Sequence, residues 1–333
     1  MTSVTVAQRL FRSDDPKLRF LPEGPYPLAT SQFSWVAIQH GADAQQGSLN
    51  VFDWATLENR NFLLPGRPGF AFPCQDPDQF VVGCERQLGL FRISDSAWQP
   101  WGFTIEESVE NTIINDAVVF GDNLIFGCKD LQFQTSKAGL YLLRGSDCSL
   151  LRLRDDQVCS NGKAVVAESP SEVILYDIDS PTRQIVRYRL NLIEGSLSAA
   201  EVVLDLRDDP AVPDGMILTP DGSGVIVSMF NPNPAPHGET RLYDLASGGC
   251  LQVWQTPGSP QNTCPQLVAH QGKVWLVITT AAENMNDQQR HLAPEAGSLF
   301  FAPTDFESTG SPPRYTIPDD SENRLCDPSS VPQ

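Results

Sequence analysis

From Trp35 onward the chain repeats one pattern: a short apolar run, a turn built from Gly, Pro, Asp, Asn or Ser, then another apolar run. Within many runs apolar and polar residues alternate. That is the period of a strand, whose successive side chains point to opposite faces. Apolar residues at helical spacing are almost absent; residues 109–114 and 196–203 come nearest and are too short or too mixed. Many short strands separated by turn signals predict an all-β sandwich, barrel or propeller.

A repeat separates these options. A small or polar entry followed by an alternating strand recurs at residues 47–53, 88–93, 138–143, 183–188, 239–244 and 296–301. That is about six copies at a period of roughly 40 to 60 residues, near the length of a four-stranded propeller blade. Several copies follow a second apolar run, at 123–128, 173–177, 224–228 and 273–278, and each such pair reads as the two middle strands of a blade. The expectation is a six-bladed β-propeller with four-stranded blades over residues 21–305. Residues 1–20 are expected as an N-terminal extension with Phe11 and Phe20 as anchors. Residues 306–333 form a C-terminal segment rich in Pro, Ser and Asp, expected to be partly disordered beyond Ile317.

Charge narrows the partners. Lys and Arg total 23 against 41 Asp and Glu in 333 residues, a formal charge of −18. Nucleic acid and anionic membrane both require a basic face, so neither is expected. An acidic chain concentrates cations, which suits a metal site. No apolar run approaches the roughly 20 residues that span a bilayer. The start, Met1-Thr2-Ser3-Val4, has no basic region before an apolar core, so no secretory signal is read and a cytoplasmic location is expected. The eight cysteines are scattered with no Cys-x-x-Cys pair. They are expected as small, reduced, mostly buried side chains rather than a zinc cluster.

The candidate chemistry lies where strands begin. Pro213-Asp214-Gly215, Ser160-Asn161-Gly162 and Asn115-Asp116 each precede an apolar run, and Glu23 sits in the rigid stretch Leu21-Pro22-Glu23-Gly24-Pro25. In a propeller the innermost strands point one end at a central channel, so residues about 50 apart in sequence can meet there. Glu23, Asn161 and Asp214 would supply two carboxylates and an amide oxygen. Such an oxygen-only set suits calcium, magnesium or manganese better than zinc or copper. Taken singly, each is equally an ordinary turn residue. No Gly-x-Ser-x-Gly elbow, phosphate loop or dinucleotide fingerprint is present, and the four histidines are spread apart.

These motifs, in this order, resemble the gluconolactonase, regucalcin (senescence marker protein) and luciferin-regenerating-enzyme-like family. Its Gly-Glu-Gly-Pro opening appears as Pro22-Glu23-Gly24-Pro25, and its Asn-Asp-Gly turn as Asn115-Asp116-Ala117. Its Ser-Asn-Gly and Pro-Asp-Gly turns are intact at 160–162 and 213–215, and a Pro-Glu-Ala-Gly run is kept at 294–297. The resemblance implies a six-bladed propeller that hydrolyses a lactone or related ester of a small molecule. It implies one divalent cation held by Glu23, Asn161 and Asp214: Ca2+ first, with Mg2+, Mn2+ or Zn2+ as substitutes. Asp214 would also take the proton of the attacking water, and Asn115 would contact water or substrate. The chain departs from the family at Ile113, where animal members carry a sugar-gripping arginine, and at Ala117. A family acid falls near Leu131 or Gln132, with Lys129 just upstream as a substrate-binding candidate; the bland alternative for Lys129 is a solvated loop charge. The lost arginine keeps two other readings open: a non-catalytic small-ligand-binding propeller, and an aryl or phosphate esterase. The run 231–237, Asn-Pro-Asn-Pro-Ala-Pro-His, either shapes a pocket rim or merely connects strands. The sequence leaves the oligomeric state open.

Overall fold

Leu, Val, Ile and Phe make up most of the apolar runs, and the β-branched and aromatic residues among them pack well on a pleated, half-buried surface. Accordingly, in the computed structural model, which describes residues 2–318, the regular secondary structure is almost entirely strand. Among the described residues the one α-helix is Asp287–Leu292, held at its start by a capping box between Asn286 and Gln289. None of these residues forms a helix long and apolar enough to cross a membrane.

The chain divides into two compact units. One comprises residues 68–205 together with residues 313–318. It holds antiparallel sheets of four, four and five strands, most of them meanders in sequence order. In the five-stranded sheet, Ser196–Leu197 and Glu201–Asp205 both pair with Gln184–Asn191, so one edge is split in two. Ile125, Leu140, Leu142, Val173, Leu175 and Leu190 form a core with essentially no solvent contact. Burying each such side chain is worth roughly 1.5–3 kcal/mol. Tyr315 is buried and pairs with Cys74.

The other unit comprises residues 2–67 and 206–312. It holds a four-stranded sheet from Pro22–Ala29 to Glu58–Leu63 and a nine-stranded sheet. Phe33, Trp35, Phe52, Trp54, Val268 and Val277 make its core, and Phe11 packs on Phe52 with ring centroids 5.2 Å apart.

The all-β propeller class stands, but six four-stranded blades do not: the described residues form five sheets, of four, four, four, five and nine strands. The reason is local. Phe230 pairs with Gln261 across two neighbouring meanders and fuses them into one sheet. Residues 1–20 also contribute to it. Ser3–Val6 adds in parallel to Cys250–Pro257, and Gln8–Phe11 adds antiparallel to Leu299–Pro303. The expected disorder of the C-terminal segment concerns residues mostly outside those described.

Candidate functional site

The turns expected before the strands are β-bulges inside them. Extra residues in one strand of a pair leave the ladder locally unpaired and re-aim a side chain. In Thr112–Phe120 the bulge falls between Ile114 and Ala117, and in Ser160–Ala167 between Asn161 and Lys163. In Pro22–Ala29 it falls between Glu23 and Tyr26, and in Val212–Leu218 between Pro213 and Met216. Pro68–Pro73 and Gln261–His270 are bulged in the same way, between Pro68 and Phe70 and between Asn262 and Pro265. Each bulge lies near the start of its strand.

In the unit of residues 68–205, the Asn115 and Asn161 bulges meet. Asn115 is 4% exposed and donates through Nδ2 to Oδ1 of Asn161 at 2.7 Å and to the carbonyl of Ser160 at 2.9 Å. Nδ2 of Asn161 donates to Oγ of Ser180 at 2.8 Å. The amide of Asn161 is therefore fixed at both ends. Its oxygen keeps a second lone pair, since a carboxamide oxygen accepts twice. Gly69 is required here, because a Cβ on it would come 2.1 Å from the Asn115 carbonyl oxygen.

Beneath the Asn161 bulge lies a charged network that sequence reasoning missed. Lys163 Nζ donates to Ser160 Oγ at 2.8 Å and to the Asn161 carbonyl at 2.7 Å, and stands 3.2 Å from Asp177 Oδ1. Gln157 donates to the other Asp177 oxygen at 2.5 Å. Burial raises the pKa of Asp116, against the nearby Lys163 charge. Burial likewise raises that of Asp179, against the amides of Cys159 and Val158. Lys129 is not a solvated loop charge: it lies on Asn123–Asp130, is 7% exposed, and sets its ammonium 5.9 Å from the Phe133 ring centroid.

In the other unit, Glu23 is half-buried and accepts from the Gly24 amide at 2.8 Å, with Gly24 in the left-handed region at φ +53°. Asp214 is 8% exposed. Gly215 must be glycine: a Cβ would come 2.6 Å from Cys264 Sγ and 2.8 Å from its Cα. The strand Gln261–His270 packs against the strands of both carboxylates. Its bulge residue Thr263 donates to the Pro22 carbonyl at 2.7 Å and lies 2.8 Å from Thr279 Oγ1. Residues 232–235 of the proline-rich loop line a small crevice with Met285, Leu292 and Ala293.

Among the described residues no three His, Cys, Asp or Glu side chains cluster as a metal site. The expected set does not need such a cluster, since its third member is an amide. Two carboxylates on bulges and an amide oxygen with a spare lone pair are hard donors of the kind calcium takes.

Residues 21–282 match the SMP-30/Gluconolactonase/LRE-like region. YvrE of Bacillus subtilis (strain 168), designated a sugar lactone lactonase, is 31% identical over 289 residues, or 84% of this chain and 90% of YvrE. Regucalcin of Danio rerio is 28% identical over 236 residues, covering 66% of this chain and 75% of that one. The solved structure of the calcium-binding protein regucalcin from Agrobacterium tumefaciens str. C58 shares the fold, with a TM-score of 0.77 at 18% identity, over 95% of this chain and 99% of that one. The chain belongs to the SMP-30/gluconolactonase/LRE-like family.

Proposed function

We propose that the chain is a divalent-metal-dependent hydrolase that opens a lactone or related small-molecule ester. The observation that carries this reading is that Glu23, Asn115, Asn161 and Asp214 each stand at the same kind of place, a bulge near the start of their own strand. A bulge frees backbone and side chain from the ladder while the sheet stays rigid, which is the support a preorganised site needs. The family membership and the designation of YvrE as a sugar lactone lactonase support the reaction class. The calcium-binding designation of the structural neighbour supports Ca2+ as the ion.

Glu23, Asn161 and Asp214 are the proposed ligands. A divalent ion held there would supply Lewis-acid stabilisation for charge on the lactone carbonyl oxygen. Asp214, nearly buried, is the proposed acceptor of the proton of the attacking water. Both amide hydrogens of Asn115 are committed, to Asn161 and to Ser160. Asn115 therefore offers the substrate its oxygen, an acceptor for a hydroxyl. Ile113, 3% exposed, stands where the animal members place an arginine, so the pocket grips less through charge than theirs. Lys129 supplies a cation for the carboxylate end of the opened product.

A pH-stat assay on a panel of lactones, with calcium and with chelator, tests the reading. Acid release that depends on the ion is expected. Binding of lactones without acid release would leave a ligand-binding propeller in place of the enzyme.

A further inference from the structure

We propose that Lys163 is a positioning residue: its buried ammonium sets the Asn161 bulge and thereby the ligand oxygen. The proposal rests on the reading of Asn161 as a ligand. Three interactions carry it. The ammonium donates to the Asn161 carbonyl at 2.7 Å, to Ser160 Oγ at 2.8 Å, and pairs with Asp177 at 3.2 Å. Ser160 and Asn161 precede the bulge and Asp177 lies on the neighbouring strand Glu172–Asp179, so one side chain ties the segment 160–163 to that strand. Side-chain exposure of Lys163 and Asp177 is 0% and 1%, so water cannot substitute for either partner. The packing leaves no slack: a Cβ on Gly127 would come 2.0 Å from Ser160 Oγ and 3.2 Å from the ammonium.

A lysine next to a cation site is unfavourable for the ion unless its charge is cancelled, and Asp177 cancels it. The pair thus supplies two directed hydrogen bonds to the bulge at no net charge. Groups that hold a metal ligand from behind typically change metal affinity about 10- to 100-fold when removed.

The single change Lys163→Met is ambiguous, because it strands a buried carboxylate that itself draws cations. The double change Lys163→Met with Asp177→Asn removes both charges at similar volume, and the new amide can donate to Gln157 Oε1, a buried atom that has no hydrogen-bond partner. Three measurements are made on both proteins: thermal melting, backbone hydrogen exchange of residues 160–163, and calcium titration calorimetry. The double variant is expected to melt within a few degrees of the parent, to exchange faster at the bulge, and to bind calcium about 10- to 100-fold more weakly. Parental calcium affinity in the double variant overturns the proposal, whatever the exchange shows. If the parent itself takes up no calcium, the ligand reading fails. The exchange then decides alone: faster exchange upholds the positioning role and unchanged exchange overturns it.

Discussion

Asn115 and Asn161 lie 46 residues apart, and Nδ2 of the first stands 2.7 Å from Oδ1 of the second. The bond joins two bulges on adjacent sheets and decides which end of each amide faces its neighbour. With its second hydrogen on the Ser160 carbonyl, Asn115 is a clamp as much as a substrate-binding group.

Asn115→Leu keeps approximate size and removes both donors. The Ser160 carbonyl then loses a partner in a buried setting, which costs about 1–3 kcal/mol per group. Urea unfolding is expected to show a lower midpoint with an unchanged slope. An unchanged midpoint would mean that water replaces the clamp.

Gly69→Ala and Gly215→Ala test the bulges by crowding them. The added methyls would press on the Asn115 carbonyl and on the Cys264 backbone, neither of which can yield like a flexible side chain. Overpacking of this kind costs about 1–3 kcal/mol. Pairing Gly215→Ala with Cys264→Ala is expected to relieve only part of the loss, since the new methyl still stands 2.8 Å from the backbone of residue 264. Full rescue in thermal melts would show that the thiol alone sets the constraint.

Acid stability has one well-defined contributor. Burial pushes the Asp130 carboxyl up, but the amides of Gln134, Thr135 and Gln132 and the Lys137 ammonium outweigh it and hold the pKa down at about 2. A carboxylate with a depressed folded-state pKa stabilises the fold above its unfolded value near 4, and that contribution is lost as pH falls through about 2. Asp130→Asn is therefore expected to cost about 2 kcal/mol at neutral pH and little at the acid end. A cost independent of pH would assign the loss to geometry rather than charge.

Asp214→Asn keeps the shape of the bulge residue and removes its charge. Turnover is expected to fall by about 100-fold or more, as for loss of a general base, with melting little changed. Activity equal to the parent would remove Asp214 from the chemistry.

The positions of these residues were legible in the sequence for a physical reason. An Asp-Gly or Asn-Gly step ahead of an apolar run marks a place where regular pairing breaks, and the structure has bulges at both. Lys163 was not legible. A lone lysine at the head of an apolar strand reads as a surface charge, and its partner Asp177 comes from the next strand. Gly69 was equally silent, because its role is to leave room for the backbone of residue 115. The fused sheet escaped because one backbone bridge, Phe230 with Gln261, makes it, and backbone bridges leave no side-chain signature. The N-terminal strands escaped because they are only four residues each and their side chains are largely exposed, the alternating valines Val4 and Val6 included.

Calorimetric titration with calcium of the parent and of Glu23→Gln, Asn161→Ala and Asp214→Asn tests the central claim most directly. One ion per chain in the parent, with binding weakened in every variant, is the result the account predicts. An ion bound equally well by all four proteins would contradict it.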